Sequence, residues 1–308
     1  MKILIIGGLG YLGYRIGSHL KAANFDIVNT TRNNRYIDNN SVVLKNFSKL
    51  ELEKILNGVN TIIYAAGMSS EECKAFPKES LRSANYSFKN VFDTAIKLNI
   101  NNFFYISSSQ VYKETQKVIQ EESATMIKDN YTKRHLIAEE YIKEKNKLQK
   151  MKSYILRLSN SFGSPIKTNK NCWNLVINDF CKSSITNNQL IIQSDGLQVK
   201  NFVNINYLCD AIKHLIDMNS DNLDIIYNIG GMKSFSIIEL ANIIVKRSNA
   251  LFLNNPTTNI LNKSKSSSFP VIYSSDKLIR TGFRKNNKKE FNKEIDDLLI
   301  YCKKEFAS

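Results

Sequence analysis

Seven residues close to the start of the chain, GGLGYLG at positions 7–13, have the types and spacing to do chemistry. They follow an apolar run, KILII at 2–6, and open a helix-like stretch, which is the context a dinucleotide-binding turn requires. Gly8, Gly10 and Gly13 satisfy GxGxxG; Gly7, Gly10 and Gly13 satisfy the related GxxGxxG spacing. Glycine serves such a turn in three ways: a tight bend, close approach of backbone to a pyrophosphate, and tight helix–strand packing. Backbone N–H groups along Gly7, Gly10, Tyr11, Leu12 and Gly13, at the positive end of a helix, would then hold the phosphates. A second clue lies about twenty residues on. An NAD site usually places an acid at the end of the next strand, to bind the ribose 2′-hydroxyl. Here the segment is Asn29-Thr30-Thr31-Arg32-Asn33, with no acid. Arg32 stands where a 2′-phosphate would lie, Thr31 could donate a hydrogen bond to it, and Arg35 could add charge. The cofactor expected from these residues is NADP, with NAD as the second choice.

The elements around this turn alternate. Strand candidates are residues 2–6, 26–30, 41–44, 60–66, 102–108 and 152–158. Helix candidates are residues 10–23, 49–56, 78–98 and 131–145. Apolar strands without polar alternation, separated by helices, specify a parallel sheet buried on both faces. The fold class is α/β, a Rossmann-type doubly wound parallel sheet. After Ser159 the pattern changes to turn residues and shorter elements. The division expected is a dinucleotide-binding domain over 1–160. Residues 161–308 would form a smaller C-terminal α/β substrate lobe, from which the chain crosses back to the sheet. Residues 190–193, 200–205 and 224–229 look like strands, and 173–182, 207–218 and 236–247 like helices. Residues 254–268, rich in Asn, Ser, Thr and Lys, read as a loop.

The bulk composition excludes several classes. No apolar run reaches the roughly 18 to 20 residues of a membrane span. The N-terminal run is short and enters a glycine turn, so it reads as a strand and not a signal peptide. Cys73, Cys172, Cys181, Cys209 and Cys302 form no CxxC pair or zinc spacing and read as reduced thiols. A soluble cytoplasmic protein without a metal follows. The formal net charge is +15, but the lysines are scattered and not interleaved with aromatic residues, so no nucleic-acid partner is expected.

Further segments, in order, carry a resemblance: TIIYAAG at 61–67, SANYSFKNVFDTA at 83–95 with Asn85, FFYISSSQVY at 103–112, NYTKRHLIAEEY at 130–141, ILRLSNSFG at 155–163, DGLQVKNFVNINYLCDAI at 195–212 and YNIGG at 227–231. Together with the glycine turn they resemble the extended short-chain dehydrogenases/reductases, the sugar-nucleotide epimerase/dehydratase group. The resemblance implies a cofactor-lining Ala65 and Ala66 after the fourth strand, a catalytic Tyr131, and a catalytic Ser108 with Ser109 as runner-up. In such a site a Tyr hydroxyl acts as general acid/base if its pKa falls from about 10 toward neutrality. The Ser hydroxyl orients the substrate oxygen.

Two departures stand out. The family's Lys four residues after the Tyr is here His135. Position i+4 shares a helix face with Tyr131. The expectation is that His135 hydrogen-bonds the nicotinamide ribose and, when charged, tunes Tyr131. Activity would then fall as pH rises through the imidazole pKa. Lys133, at i+2, faces away. In place of the Asp-Glu pair that dehydrating members use, the chain has Ser109-Gln110, which ranks an epimerase or ketoreductase above a dehydratase.

In the C-terminal lobe, the resemblance implies substrate contacts at Asn160 and at Lys200, which replaces the family's Arg; Trp173 is a candidate for stacking on a base or sugar, with a core or rim position as the equal alternative. The leading reading is an NAD(P)-dependent, hydride-transferring epimerase or reductase of a nucleotide-linked sugar. The alternatives are a cofactor-binding regulator with a degenerate site and a reductase of a non-nucleotide carbonyl. The resemblance also implies a homodimer built through the helices at 78–98 and 131–145.

Overall fold

A computed structural model of the chain describes residues 1–32, 40–113, 117–146, 150–166, 172–218, 224–262 and 271–307. Arg35 and Asn33 lie outside these. The described elements, in chain order, begin with β1 (Lys2–Ile6), α1 (Tyr11–Ala22), β2 (Asp26–Thr31), β3 (Ser41–Val43), α2 (Lys49–Leu56) and β4 (Thr61–Tyr64). Then come α3 (Ser70–Ala75), α4 (Pro77–Arg82), α5 (Lys89–Lys97), β5 (Asn102–Ser108), β6 (Val118–Ile119), α6 (Asn130–Asn146), β7 (Lys152–Leu158) and β8 (Asn160–Phe162). The remainder is α7 (Val176–Thr186), β9 (Gln189–Ile192), β10 (Val199–Asn204), α8 (Ile205–Asp217), β11 (Ile226–Ile229), β12 (Ser234–Ser236), α9 (Ile237–Phe252), β13 (Thr257–Ile260), β14 (Ile272–Tyr273), α10 (Asp276–Arg280) and α11 (Lys288–Phe306).

Two compact units divide the chain. The first comprises residues 1–114, 121–158 and 209–227, and the second residues 115–120, 159–208 and 228–308. The short piece 115–120 belongs to the second unit because its β6 pairs in parallel with β14. A boundary drawn only at residue 160 does not capture that excursion.

The first unit is built on a seven-stranded sheet in the order β11-β7-β5-β4-β1-β2-β3. Successive pairs from β3 through β7 are parallel. This is the doubly wound order, and the direction of winding reverses between β1 and β4. Ile3, Leu4, Ile5 and Ile6 are wholly buried, as are Ile62 and Ile63 of β4. Strands covered by helices on both faces demand such continuous apolar runs. One face packs Leu4, Ile6, Ile62, Tyr64, Phe103 and Tyr105 against Phe88, Val91 and Phe92. The segment expected as one long helix at 78–98 is helical throughout 77–97, with α4 and α5 running into each other through a π-helical turn at Ser83–Phe88. Asn85 sits in that turn, exposed, with its amide donating to the Leu81 carbonyl at 3.1 Å.

The second unit contains a three-stranded sheet, β12-β10-β8, and two strand pairs, β13-β9 and β14-β6. Helices α7, α9 and α11 pack over a core that includes Phe180, Phe235, Leu240, Phe291 and Leu298. Residues 257–260, expected to lie in a loop, instead form β13 against β9. Their polar TTNI sequence is exposed at an edge, so no hydrophobic pattern marks them. Among the described residues no helix is long and apolar enough to cross a membrane.

A buried ion pair fastens α6 to the sheet. Arg157 of β7 and Glu139 of α6 are 2% and 0% exposed and meet at 2.6 Å. Arg157 Nε also donates to Glu139 Oε1 at 3.1 Å, and its Nη1 donates to the Glu121 carbonyl at 3.1 Å. Ser107 of β5 donates to Glu139 Oε1 at 2.6 Å. Removing one partner leaves an uncompensated buried charge, which costs about 3–5 kcal/mol. Glu139→Ala should therefore lower unfolding stability by about that much in urea denaturation, whereas the joint replacement Glu139→Leu with Arg157→Met should recover most of it. A loss below about 1 kcal/mol for Glu139→Ala would show that the pair does not hold the helix.

Candidate active site

The site is assembled where the winding of the sheet reverses, at the carboxyl ends of β1 and β4. Open α/β sheets bind ligands there. Gly7 leaves β1 at φ +81°, and a Cβ on it would sit 2.8 Å from the Ala66 backbone beyond β4. A Cβ on Gly13 would meet the Gly7 carbonyl oxygen at 2.3 Å. Both positions require glycine for backbone-to-backbone approach. Thr30 of β2 accepts a hydrogen bond from the Gly7 amide at 3.0 Å and so braces the turn. Gly10 caps α1 without a side-chain hydrogen bond, and no acidic residue occupies the first turn of Tyr11, Leu12 and Gly13. A helix N-terminus of this kind suits an anionic phosphate. The donor set and the backbone cradle fit a dinucleotide. Thr31 ends β2 partly buried, and Arg32 follows it exposed to solvent.

The second cluster lies at the end of β5 and the start of α6. Ser108 is the last residue of β5 and Ser109 begins a short 3-10 turn. Ser108 is 7% exposed; its Oγ accepts from the Gln110 amide at 3.2 Å, and its hydroxyl lies close enough to the Tyr131 phenol to favour ionisation of that group. The Asp129 carboxylate caps the start of α6 by accepting from the Thr132 amide at 2.8 Å, which fixes the first turn carrying Tyr131. Tyr131 also lines a cavity of about 390 Å³, with Ser70, Cys73 and Lys74 of α3 and Lys128 and Lys133 on its walls.

Electrostatics correct two expectations. The Tyr131 phenol is not lowered toward neutrality. Burial pushes it up, and the Ser108 hydroxyl and the Arg134 guanidinium only partly offset that. His135 carries no charge near neutral pH. It is 5% exposed, and burial followed by the nearby Arg134 cation holds its pKa well below 6.5. Its Nδ1 is engaged by the Tyr105 hydroxyl at 2.8 Å, and its ring meets the Tyr131 ring edge-on with centroids 4.7 Å apart. Nε2 of His135 is buried and without a partner among the described residues. The positive group beside Tyr131 is Arg134, 4% exposed, which the sequence reading passed over. The signal was present: Arg134 lies at i+3 from Tyr131, a spacing that shares a helix face, and Arg cannot lose its charge.

The candidate substrate residues lie in the second unit. Asn160 opens β8 and donates to the Asn201 carbonyl at 2.8 Å. Lys200 lies in β10 opposite Phe235 of β12. Trp173 is packed within that unit: its ring stacks on Tyr301 at 6.3 Å, meets Phe306 edge-on at 5.0 Å, and carries the Lys182 ammonium 5.4 Å from the ring centroid.

Residues 3–230 match the NAD dependent epimerase/dehydratase family, and the chain belongs to it. A Methanocaldococcus jannaschii protein named "Putative UDP-glucose 4-epimerase" is 28% identical over 259 residues, covering 79% of this chain and 81% of its own. Among solved structures, the Bacillus cereus UDP-glucuronic acid 4-epimerase, in complex with UDP-glucuronic acid and NAD, superposes with a TM-score of 0.80 at 16% identity, covering 99% of both chains. The Thermus thermophilus UDP-glucose 4-epimerase in complex with NAD does so with a TM-score of 0.80 at 16% identity, covering 98% of this chain and 99% of its own. At such identities the two superpositions speak for the fold.

The neutral His135 has a consequence for stability. Above about pH 6.5 the imidazole is uncharged in both folded and unfolded chains. Below that, the unfolded chain takes up a proton that the folded chain refuses, so stability falls with decreasing pH by up to about 1.4 kcal/mol per unit. Urea denaturation of the native chain and of His135→Gln between pH 7 and pH 5 should show a shallower decline in the variant. Parallel declines would mean that other groups supply the slope.

Proposed function

We propose that the chain is an NAD(P)-dependent 4-epimerase of a nucleotide-linked sugar, most directly a UDP-sugar. The observation that carries the reading is the Ser108–Tyr131 hydroxyl pair at the head of β5, in the same unit as a glycine cradle built for a dinucleotide. The family supplies the reaction class, and the proteins it resembles act on UDP-glucose or UDP-glucuronic acid.

Bound NAD(P) supplies a hydride acceptor, cationic in its oxidised form, that exchanges hydride with a carbinol carbon of the sugar. Gly7, Gly10, Tyr11, Leu12 and Gly13 would hold its pyrophosphate through backbone N–H groups, with Ala65 and Ala66 forming the opposing wall. The unpartnered His135 Nε2 offers a neutral hydrogen bond to a ribose hydroxyl. Tyr131 takes the proton from the reacting sugar hydroxyl and returns it after the sugar has presented its other face. Ser108 orients that oxygen, with Ser109 beside it. Asn160, Trp173 and Lys200 are assigned to the nucleotide end of the substrate, Lys200 as a point charge for the diphosphate. Gln110 supplies no carboxylate to expel water, which favours epimerisation over dehydration. A homodimer through α4, α5 and α6 completes the reading, and light scattering at twice the chain mass tests it. All five cysteines are free and buried, in keeping with a reducing cytoplasm.

The test is incubation with NAD or NADP and each of UDP-glucose, UDP-N-acetylglucosamine and UDP-glucuronic acid, followed by proton NMR of the anomeric region. Appearance of the C4 epimer supports the proposal; absence of turnover with every pairing sinks it. Tyr131→Phe should lower kcat by about 10²–10⁴-fold and Ser108→Ala by about 10²-fold.

Cofactor choice has its own test. If Arg32 meets a 2′-phosphate, Arg32→Ala weakens NADP binding by about 10- to 100-fold, the loss of one charge-assisted hydrogen bond, and leaves NAD binding unchanged. Equal weakening of both would assign Arg32 to the adenine instead.

A further inference from the structure

Arg134 is a buried cation that no carboxylate among the described residues pairs with. It is 4% exposed, its Nε has no hydrogen-bond partner among the described residues, and its Nη2 reaches the Ala66 carbonyl only at 3.4 Å. Guanidinium groups are rarely buried without paired charge, because desolvation costs several kcal/mol on the order of an ion pair's whole gain. What surrounds this one is a set of phenols. Tyr64 of β4, Tyr105 of β5 and Tyr131 of its own helix all lie within its electrostatic reach. The group is also tied to the cofactor wall. A Cβ on Gly67 would sit 2.7 Å from Arg134 Nη1, so the guanidinium occupies the space beside the turn that follows Ala66.

We propose that Arg134 is the positioning residue that sets the acidity of Tyr131, in place of the lysine that the family carries one position later, and that His135 takes no part in this as a charge. The proposal rests on Tyr131 being the acid/base of the reaction, but its central claim concerns the ionisation of Tyr131 itself. Every group facing that phenol can be named. From α3 come Cys73 and Lys74; from the loop before α6, Lys128 and Asp129; from β5, Tyr105 and Ser108; from α6 itself, Arg134, His135 and also Lys133, which lines the same cavity although its i+2 spacing predicts the far side of the helix. Cys73 and Asp129 oppose a negative charge on the phenolate, and Ser108 and Arg134 favour it. The lysines lie on the open wall of the cavity, where solvent screens them. Arg134 alone among these cations is buried. A site built this way has no imidazole limb in its pH profile.

The experiment places a single 3,5-difluorotyrosine, whose phenol is intrinsically more acidic, at position 131. The full-length chain without added cofactor is then titrated by 19F NMR. Arg134→Met should raise the midpoint by at least about one pH unit, a tenfold change in the ionisation constant, and Arg134→Lys should restore most of it. His135→Gln should leave the midpoint where it is. In the catalysed reaction the same shift should appear as an upward move of the acid limb of kcat in Arg134→Met, with KM for the sugar nucleotide little changed. An unmoved fluorine midpoint in Arg134→Met, or a rise in His135→Gln as large as that expected for Arg134→Met, overturns the proposal. The second criterion stands even if Arg134→Met fails to fold. The NMR readout does not depend on turnover, so a chain that proves not to be an epimerase would still decide the question.

Discussion

The buried pairing of Glu139 with Arg157 is the constraint on which the rest of the first unit depends. A helix laid against a sheet by apolar contacts alone can slide or rotate by a fraction of a turn. A bidentate guanidinium–carboxylate contact that also captures the Ser107 hydroxyl fixes both register and rotation. Ser107 immediately precedes Ser108 on β5, and Glu139 lies two turns beyond Tyr131 on α6. One charged contact thus holds the strand and the helix that bring the two hydroxyls together. The Tyr112 ring, with the Arg157 guanidinium 4.7 Å from its centroid, closes the pair off.

The chemistry of the site follows from burial more than from residue type. A histidine read by its ordinary pKa is a proton switch. Buried beside a cation and engaged by a phenol, it is a neutral hydrogen-bonding group. A tyrosine read as an acid/base is expected to be made more acidic by its surroundings. Burial instead makes it less so, and a compensating charge has to come from somewhere. Positive charge fixed in a low-dielectric pocket acts over a longer range than the same charge in water, which is why one arginine can address three phenols.

Much of this was legible in the sequence, for physical reasons. β1, β4, β5 and β7 are buried on both faces, so their runs of Ile, Phe and Leu stand out, and β7 was read to its terminal residues. The glycine turn was legible because backbone contact at Gly7 and Gly13 admits no side chain. What stayed hidden lacked a local signature. β13 is polar and exposed, β6 and β14 are two residues long, and the π-helical turn at 83–88 contains no glycine or proline to mark it. Arg134 was hidden differently. Its i+3 spacing from Tyr131 was legible, but its burial is a tertiary property that spacing within one helix does not reveal.

The chain has one tryptophan, and the ring contacts that hold Trp173 lie wholly within the second unit. Its emission, shaped by Tyr301, Phe306 and the Lys182 ammonium, is therefore an optical label for one unit, while backbone circular dichroism sums over both. Coincident thermal midpoints from the two signals would describe a chain that melts cooperatively, and separated midpoints one that melts in parts.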